Sequence, residues 1–314
     1  MATLTTTFSQ TTTSRPRRFS LSIVTSKPSP LLNLPAELVL DILELVLSKT
    51  KPSTLTTISK AISRLVDIVL YRTVVLHSKE SITLFHRTTL SRPQAFFDNH
   101  VKKLVVSHKP KNAVVLQRVQ RAISVCGGVR SLVLSTWFGI DCLASVMEGR
   151  TDGGVSEIIL QAPDGIDSPL ACTLKDDPLS DSVTHLRICE PGEAGWTAPK
   201  DILNHFGLLR NLTHLQLSRR INSNLDNDRN FEAQVCDILE TRPNLGMLVV
   251  VIYPQVWSAE DDDVCASDIW DMMSNVAEKD ERLVLVQGKI EDWGMEWRHA
   301  ETKTGAQFWA EAAK

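Results

Sequence analysis

A chain of 314 residues, 43% of them hydrophobic and with a formal charge of −3, is long enough for one large core or two modest ones. Its near-neutral balance argues against a general nucleic-acid binder, which needs many Lys and Arg to neutralise phosphates. No uncharged apolar run reaches the ~20 residues of a membrane-spanning helix. The six cysteines (Cys126, Cys142, Cys172, Cys189, Cys236, Cys265) include no C-x-x-C pair. They read as buried free thiols in a reducing compartment, not as a disulfide framework or a zinc site.

Residues 1–30 hold fourteen Ser or Thr, four basic residues (Arg15, Arg17, Arg18, Lys27) and no acid. Such a segment buries too little apolar surface to offset chain entropy, which predicts a disordered tail. The same composition resembles a mitochondrial transit peptide, although the Thr runs and Pro16 obscure any amphipathic helix. Arg17-Arg18-Phe19-Ser20 resembles a basic-directed kinase site, where phosphate would add negative charge.

A helix is predicted to begin within Leu34-Pro35-Ala36-Glu37-Leu38. Proline suits a first helical turn, where its missing N–H costs nothing, and Glu37 suits the positive end of the helix dipole. The helix should run to about Leu47 and stop before Lys51-Pro52. Leu34, Leu38, Ile42 and Leu45 form one apolar face; Val39, Leu43, Val46 and Leu47 form a second. A helix packed on one side needs a single stripe of roughly 100°, so this one needs cover on two sides. After Pro52, Leu55, Ile58, Ile62, Leu65, Val66 and Val69 repeat on a helical period. Two or three short helices cannot cover both faces of the first, and a partner or the following domain must do so.

Leu34-Pro35-Ala36-Glu37-Leu38, then Ile42-Leu43, then Ile58-Ser59-Lys60-Ala61-Ile62-Ser63-Arg64-Leu65 resemble an F-box. Leu70-Tyr71-Arg72-Thr73-Val74-Val75-Leu76 resembles the helix-to-strand junction of F-box-like proteins of mushroom-type fungi. The resemblance spans residues 31–76. It implies a head over 31–73 that docks on the Skp-type adaptor of a cullin–RING ubiquitin ligase, with Leu34, Pro35, Leu38 and Ile42 among its adaptor contacts. The rest of the chain would then present a client protein.

From Tyr71 onward a frame recurs in which an apolar residue is followed by others at +3 and +5. Its middle positions are Val74, Leu104, Leu132, Ile158, Leu186, Leu215, Leu248 and Leu283. In the last copy Asp280 replaces the first apolar residue. A period near 28 with alternating apolar positions is the pattern of short strands in a repeat array. Helical stretches precede several strands: Val115, Val119, Ala122 and Ile123; Ile202, Leu203, Phe206 and Leu209; Phe231, Val235, Ile238 and Leu239; Ile269, Trp270, Met273, Val276 and Ala277. Strand–helix–strand at this spacing predicts parallel strands with right-handed crossovers. The frame resembles the leucine-rich repeat, but the turn position that carries Asn or Cys in that family holds Lys79, Lys109, Trp137, Pro163, Pro191, Arg220, Tyr253 and Gly288. The expected fold class is therefore α/β: a short N-terminal helical F-box-like head, then an irregular leucine-rich-type α/β solenoid with parallel strands over 74–290. A capping segment over 291–314 follows, where late tryptophans (Trp257, Trp270, Trp293, Trp297, Trp309) would cover the open end of the stack.

No nucleophile elbow, P-loop, dinucleotide fingerprint or zinc-protease motif is present, so neither catalytic residues nor a cofactor or metal site is assigned. Gly127-Gly128 and Gly153-Gly154 each precede a strand and read as turns. The nine acids of residues 260–281 read as a solvated face that could also attract a basic client. His185 and His214 occupy the same place in two repeats, and alternation turns them away from the core. With Arg130, Arg187 and Gln216 they make up the expected client surface. The function expected is a substrate-recognition subunit of a cullin–RING ubiquitin ligase, in cytoplasm or nucleus, with the mitochondrion as the alternative that the tail leaves open. The rival is a leucine-rich-like interaction scaffold with no ligase connection. Neither nucleic acid nor a membrane is an expected partner.

Overall fold

The computed structural model describes residues 30–108, 112–135, 154–161, 179–189, 198–206, 209–221, 224–255, 263–288 and 305–313. The expected tail therefore lies outside the described residues but for Pro30, as do Cys142, Cys172, Trp257, Trp293 and Trp297. The chain divides into two units, residues 1–50 and 51–314.

In the first unit a 3₁₀ turn over Pro30–Asn33 leads through Pro35 into α1 (Ala36–Leu47). Only one of its two apolar faces is shielded. Val39 and Leu43 are buried, whereas Leu34, Leu38, Ile42 and Leu45 are 41%, 50%, 37% and 69% exposed.

The second unit opens with α2 (Pro52–Thr56) and α3 (Lys60–Arg72), the latter capped by the Ser59 hydroxyl accepting from the Ile62 N–H. These two helices, expected within the head, belong to the unit of the sheet because α3 runs directly into β1 (Thr73–Leu76). Tyr71 meets Phe96 edge-on at 5.0 Å and Asp67 pairs with Arg92. The frame of +3 and +5 positions then yields one strand per copy. These are β2 (Lys103–Val106), β3 (Ser131–Leu134), β4 (Glu157–Leu160), β5 (His185–Ile188), β6 (His214–Arg220), β7 (Met247–Tyr253) and β8 (Leu283–Gln287). All eight strands join one parallel sheet in chain order.

The connections hold α4 (Lys79–Ser91), α5 (Gln94–His100), α6 (Ala113–Val125), α7 (Leu179–Ser182), α8 (Pro199–His205), α9 (Leu225–Thr241) and α10 (Asp268–Ala277). Helix α4, which the frame does not announce, starts at a reciprocal Ser78/Ser81 capping box that satisfies two orphan N–H groups. Gly128 lies against the Asp98 carbonyl, and a Cβ there would sit 1.8 Å from that oxygen. The tight turn before β3 therefore needs glycine.

Register aligns the middle residues, so Val74, Leu104, Leu132, Ile158, Leu186, Leu215, Leu248 and Leu283 form one row across the sheet. This row and the parallel row from Leu76 to Leu217 build the main core with Val119, Ile123, Phe231, Val235 and Met273 of the helices. Asp280, the break in the frame, holds Arg282 through both carboxylate oxygens. The Arg282 guanidinium donates to the carbonyls of Leu239, Arg242 and Leu245. Carbonyls at a helix C-terminus lack intrahelical partners and favour a cation, so the irregular eighth copy ends α9.

The acidic stretch resolves in the same way. Asp263 caps a 3₁₀ turn at Val264–Ala266, and Asp268 and Asp271 lie in the first turn of α10. Cys126 and Cys189 are buried as expected, but Cys236 and Cys265 are exposed free thiols. Among the described residues no helix is long and apolar enough to cross a membrane.

Candidate binding surfaces

The first candidate surface is α1. Its residues Leu38, Ile42 and Leu45 are exposed, together with Leu34 and Pro35 at the helix entrance. Soluble surfaces usually scatter their apolar side chains singly, whereas Leu38, Ile42 and Leu45 share one stripe of α1 with Leu34 just before it.

The second candidate surface is the face of the sheet opposite the main core. The expectation that alternation leaves this face open is corrected here. The row one residue after the middle positions reads Val75, Val105, Val133, Ile159, Arg187, Gln216, Val249 and Val284. Arg187 is 3% and Gln216 0% exposed. Strands such as Leu104-Val105-Val106 and Ile158-Ile159-Leu160 are apolar in both phases, the mark of a parallel sheet covered on both sides.

Over β5–β8 part of that cover is α11 (Gly305–Ala312). Phe308 and Trp309 pack with Val249, Val251, Tyr253, Val284 and Val286. Trp309, expected to close the end of the stack, thus lies on the face of the sheet; Trp270 of α10 packs partly buried on the main core.

Two hydrogen-bond systems shape this face. At the strand entrances the Ser156, Thr184 and Thr213 hydroxyls donate to the carbonyls of Arg130, Ser156 and Thr184 at 3.2, 3.1 and 3.1 Å. Each hydroxyl thus bonds the equivalent residue of the preceding repeat. Each carbonyl of this ladder also accepts two backbone N–H groups, so the hydroxyl adds a third bond at the strand entrance.

The neighbouring rings fit onto it. His185 Nδ1 lies 2.8 Å from the Thr184 hydroxyl and His214 Nδ1 lies 2.9 Å from that of Thr213. A hydroxyl has one proton, and here it goes to a carbonyl. The network therefore assigns the Nδ1–H tautomer to both histidines and leaves each Nε2 an acceptor. The two rings stack at 4.4 Å and 11°. Burial lowers the affinity of both for a proton; Glu157 opposes this at His185, while the His185 charge adds to it at His214.

Deeper in, Arg187 Nε donates to Gln216 Oε1 at 2.7 Å, and its guanidinium lies 3.4 Å from the Phe308 ring centre. The geometry brings His185, Arg187, His214 and Gln216 together, while Arg130 is exposed one residue before β3, two strands away from β5. Glu157 and the two histidines are register partners across β4–β6, yet among the described residues no group of three ligating side chains is placed to hold a metal ion. The arrangement offers aromatic stacking, cation–π contact and apolar burial, which are means of binding.

Compared with known proteins, the chain matches no family model and no curated sequence. Phe308, Thr184 and Thr213 are the residues of this surface that the frame passed over. The signal for the threonines is the repeated Thr-His-Leu at 184–186 and 213–215.

Proposed function

We propose that the chain is a substrate-recognition subunit of a cullin–RING ubiquitin ligase, in which α1 docks on a Skp-type adaptor and the sheet unit binds a client protein. The observation that carries this reading is the exposed stripe Leu34, Leu38, Ile42 and Leu45, three of whose residues the F-box resemblance had assigned to the adaptor together with Pro35. Each such side chain contributes roughly 1.5–3 kcal/mol when a partner buries it fully, so a few suffice for a stable complex. The rival scaffold reading, in which the head merely caps the first repeat, needs Leu38 and Ile42 in a core.

The sheet unit is read as an irregular leucine-rich-type solenoid. Eight strands in chain order and one register per copy support this. The client surface is the strand face around His185, Arg187, His214 and Gln216, with Arg130 at its exposed margin. Purified chain mixed with a Skp-type adaptor should co-elute, and Leu38→Ala with Ile42→Ala should abolish co-elution. Failure of the parent chain to bind any such adaptor would remove the ligase reading.

A further inference from the structure

The helical layer of the sheet unit carries opposite charge at its two ends. Helices α4, α6, α9 and α10 all pack on the main core, through Phe85, Val119, Val235 and Met273 respectively. They therefore lie on one face of the sheet, α4 and α6 in the connections of β1–β3 and α9 and α10 in those of β6–β8. The first two helices have Glu80 as their one acid, in the first turn of α4. Arg87 and Arg121 are exposed on them, with His86 and Arg118 half-buried. Arg118 donates to the Thr83 hydroxyl at 2.9 Å, which ties α6 to α4. Burial, then the charges of Arg118 and Arg121, lowers the proton affinity of His86, so both guanidinia of α6 act on a ring of α4.

Among the described residues Arg87, Arg118 and Arg121 form no ion pair, although Arg92, Arg219, Arg229 and Arg282 each have a carboxylate within 4.0 Å. Leu84 of α4 and Val114 of α6 are 58% and 55% exposed on the same two helices. Apolar side chains beside unanswered cations suit a partner of opposite charge. At the other end α9 and α10 pack side by side and the sign is reversed. Glu232, Glu240, Asp268, Asp271 and Glu278 reach solvent there and form no ion pair among the described residues. Between residues 74 and 130 ten Lys or Arg outnumber two acids, and between 224 and 282 fourteen acids outnumber four bases. The formal charge of −3 thus conceals two strong and opposite fields.

We propose that the basic face of α4 and α6 docks on the acidic face of α9 and α10 in a second copy of this chain, burying Leu84 and Val114 at the contact. The chain itself supplies the complementary surface. Because both faces are fixed at opposite ends of one sheet, they cannot meet within a single copy, whereas two copies bring them together. The contact uses neither α1 nor the strand face, so it stands independently of the adaptor and client readings.

Sedimentation of the full chain over a range of concentrations tests this. At about 0.01 M ionic strength exposed charges act over roughly 30 Å, and at about 1 M over roughly 3 Å. The parent should self-associate in the first condition, with an association constant at least about tenfold weaker in the second. Arg87→Glu with Arg121→Glu turns the basic end acidic; Glu232→Lys, Glu240→Lys and Glu278→Lys together turn the acidic end basic. Neither variant alone should associate. Mixed in equal amounts they should, because each keeps the native end that the other has lost.

Recovery in the mixture also shows that both variants are folded. Lys49→Glu with Lys51→Glu makes the same change in net charge as the arginine variant at exposed lysines elsewhere, and should associate as the parent does. A parent that stays monomeric at low salt, or a mixture no larger than its parts, overturns the inference. Association that survives at high salt overturns it too, since apolar contact through α1 would behave that way. Poly-glutamate that binds a parent which does not self-associate would overturn it in favour of a foreign acidic chain on α4 and α6.

Discussion

Two surfaces of this chain carry more apolar side chain than their own elements can bury, and they meet different fates. On α1 the stripe from Leu34 to Leu45 stays exposed. On the second face of the sheet the excess is covered, in part by α11, down to an arginine and a glutamine. A surplus of apolar residues in sequence therefore says that a cover is required, and only the arrangement of distant elements says whether the chain supplies it.

The sharpest way to break this comparison is to place the same charge on both surfaces. Val249→Asp puts an unpaired carboxylate into the covered face and should unfold the chain or remove several kcal/mol of stability. Leu38→Asp on α1 should stay within about 0.5 kcal/mol of the parent. Urea unfolding followed by far-UV circular dichroism measures both. Equal losses would mean that α1 is no more open than the sheet.

The next largest effect belongs to a buried pair at the end of β6. Arg219 donates to Asp228 Oδ1 at 3.0 and 2.6 Å inside the fold, where burial lowers the arginine's proton affinity and Asp228 raises it. Asp228→Ala leaves that cation without its carboxylate and should cost about 3–5 kcal/mol. A cost below ~1 kcal/mol would show that water reaches this site.

Acidification sharpens the comparison at the α11 contact. His185 and His214 are held neutral, with proton affinities below the ordinary value near 6.5. With the folded values lowered, the unfolded chain takes up protons first. The contribution of these rings is therefore intact above the unfolded value and declines as pH falls through the folded ones. NMR titration of the two imidazoles should give midpoints below 6.5, with α11 loosening over the same range; midpoints above 6.5 would refute the assignment. Glu157 beside His185 and the second imidazole are the charged or titratable groups that act on this pair.

The smallest effect tests the hydroxyl ladder. Thr213→Val keeps the shape, removes one hydrogen bond to the Thr184 carbonyl and leaves His214 Nδ1 without its partner. A loss of about 0.5–1.5 kcal/mol is expected, along with a change in the His214 tautomer visible in nitrogen chemical shifts. An unchanged tautomer would mean that the threonine does not set it.

The strands were legible because short β-branched and leucine runs such as Leu132-Val133-Leu134 recur in one frame, and α6, α8, α9 and α10 because their apolar residues recur on a helical period. Helix α4 was missed because its start is written in Ser78 and Ser81, not in an apolar stripe. The second face was misjudged because attention to the +3 and +5 positions hides that Val105, Val133 and Ile159 are apolar as well. Of the candidate client residues, four converge as their shared frame implied, but the cover over Arg187 was not readable. It depends on Phe308, which no local pattern links to β5. The stripe on α1 was legible as an excess of apolar surface, and which of its two faces is exposed emerged only from the fold.

The central claim is that α1 is a docking surface, and one paired measurement addresses it. The urea midpoint of the free chain and its affinity for a Skp-type adaptor are determined for the parent and for Leu38→Ala with Ile42→Ala. The account predicts a midpoint almost unchanged and an affinity at least about a hundredfold weaker, at ~1.4 kcal/mol per decade. A large fall in midpoint, at the ~2–5 kcal/mol per site that core cavities cost, together with no adaptor binding by the parent, would contradict it.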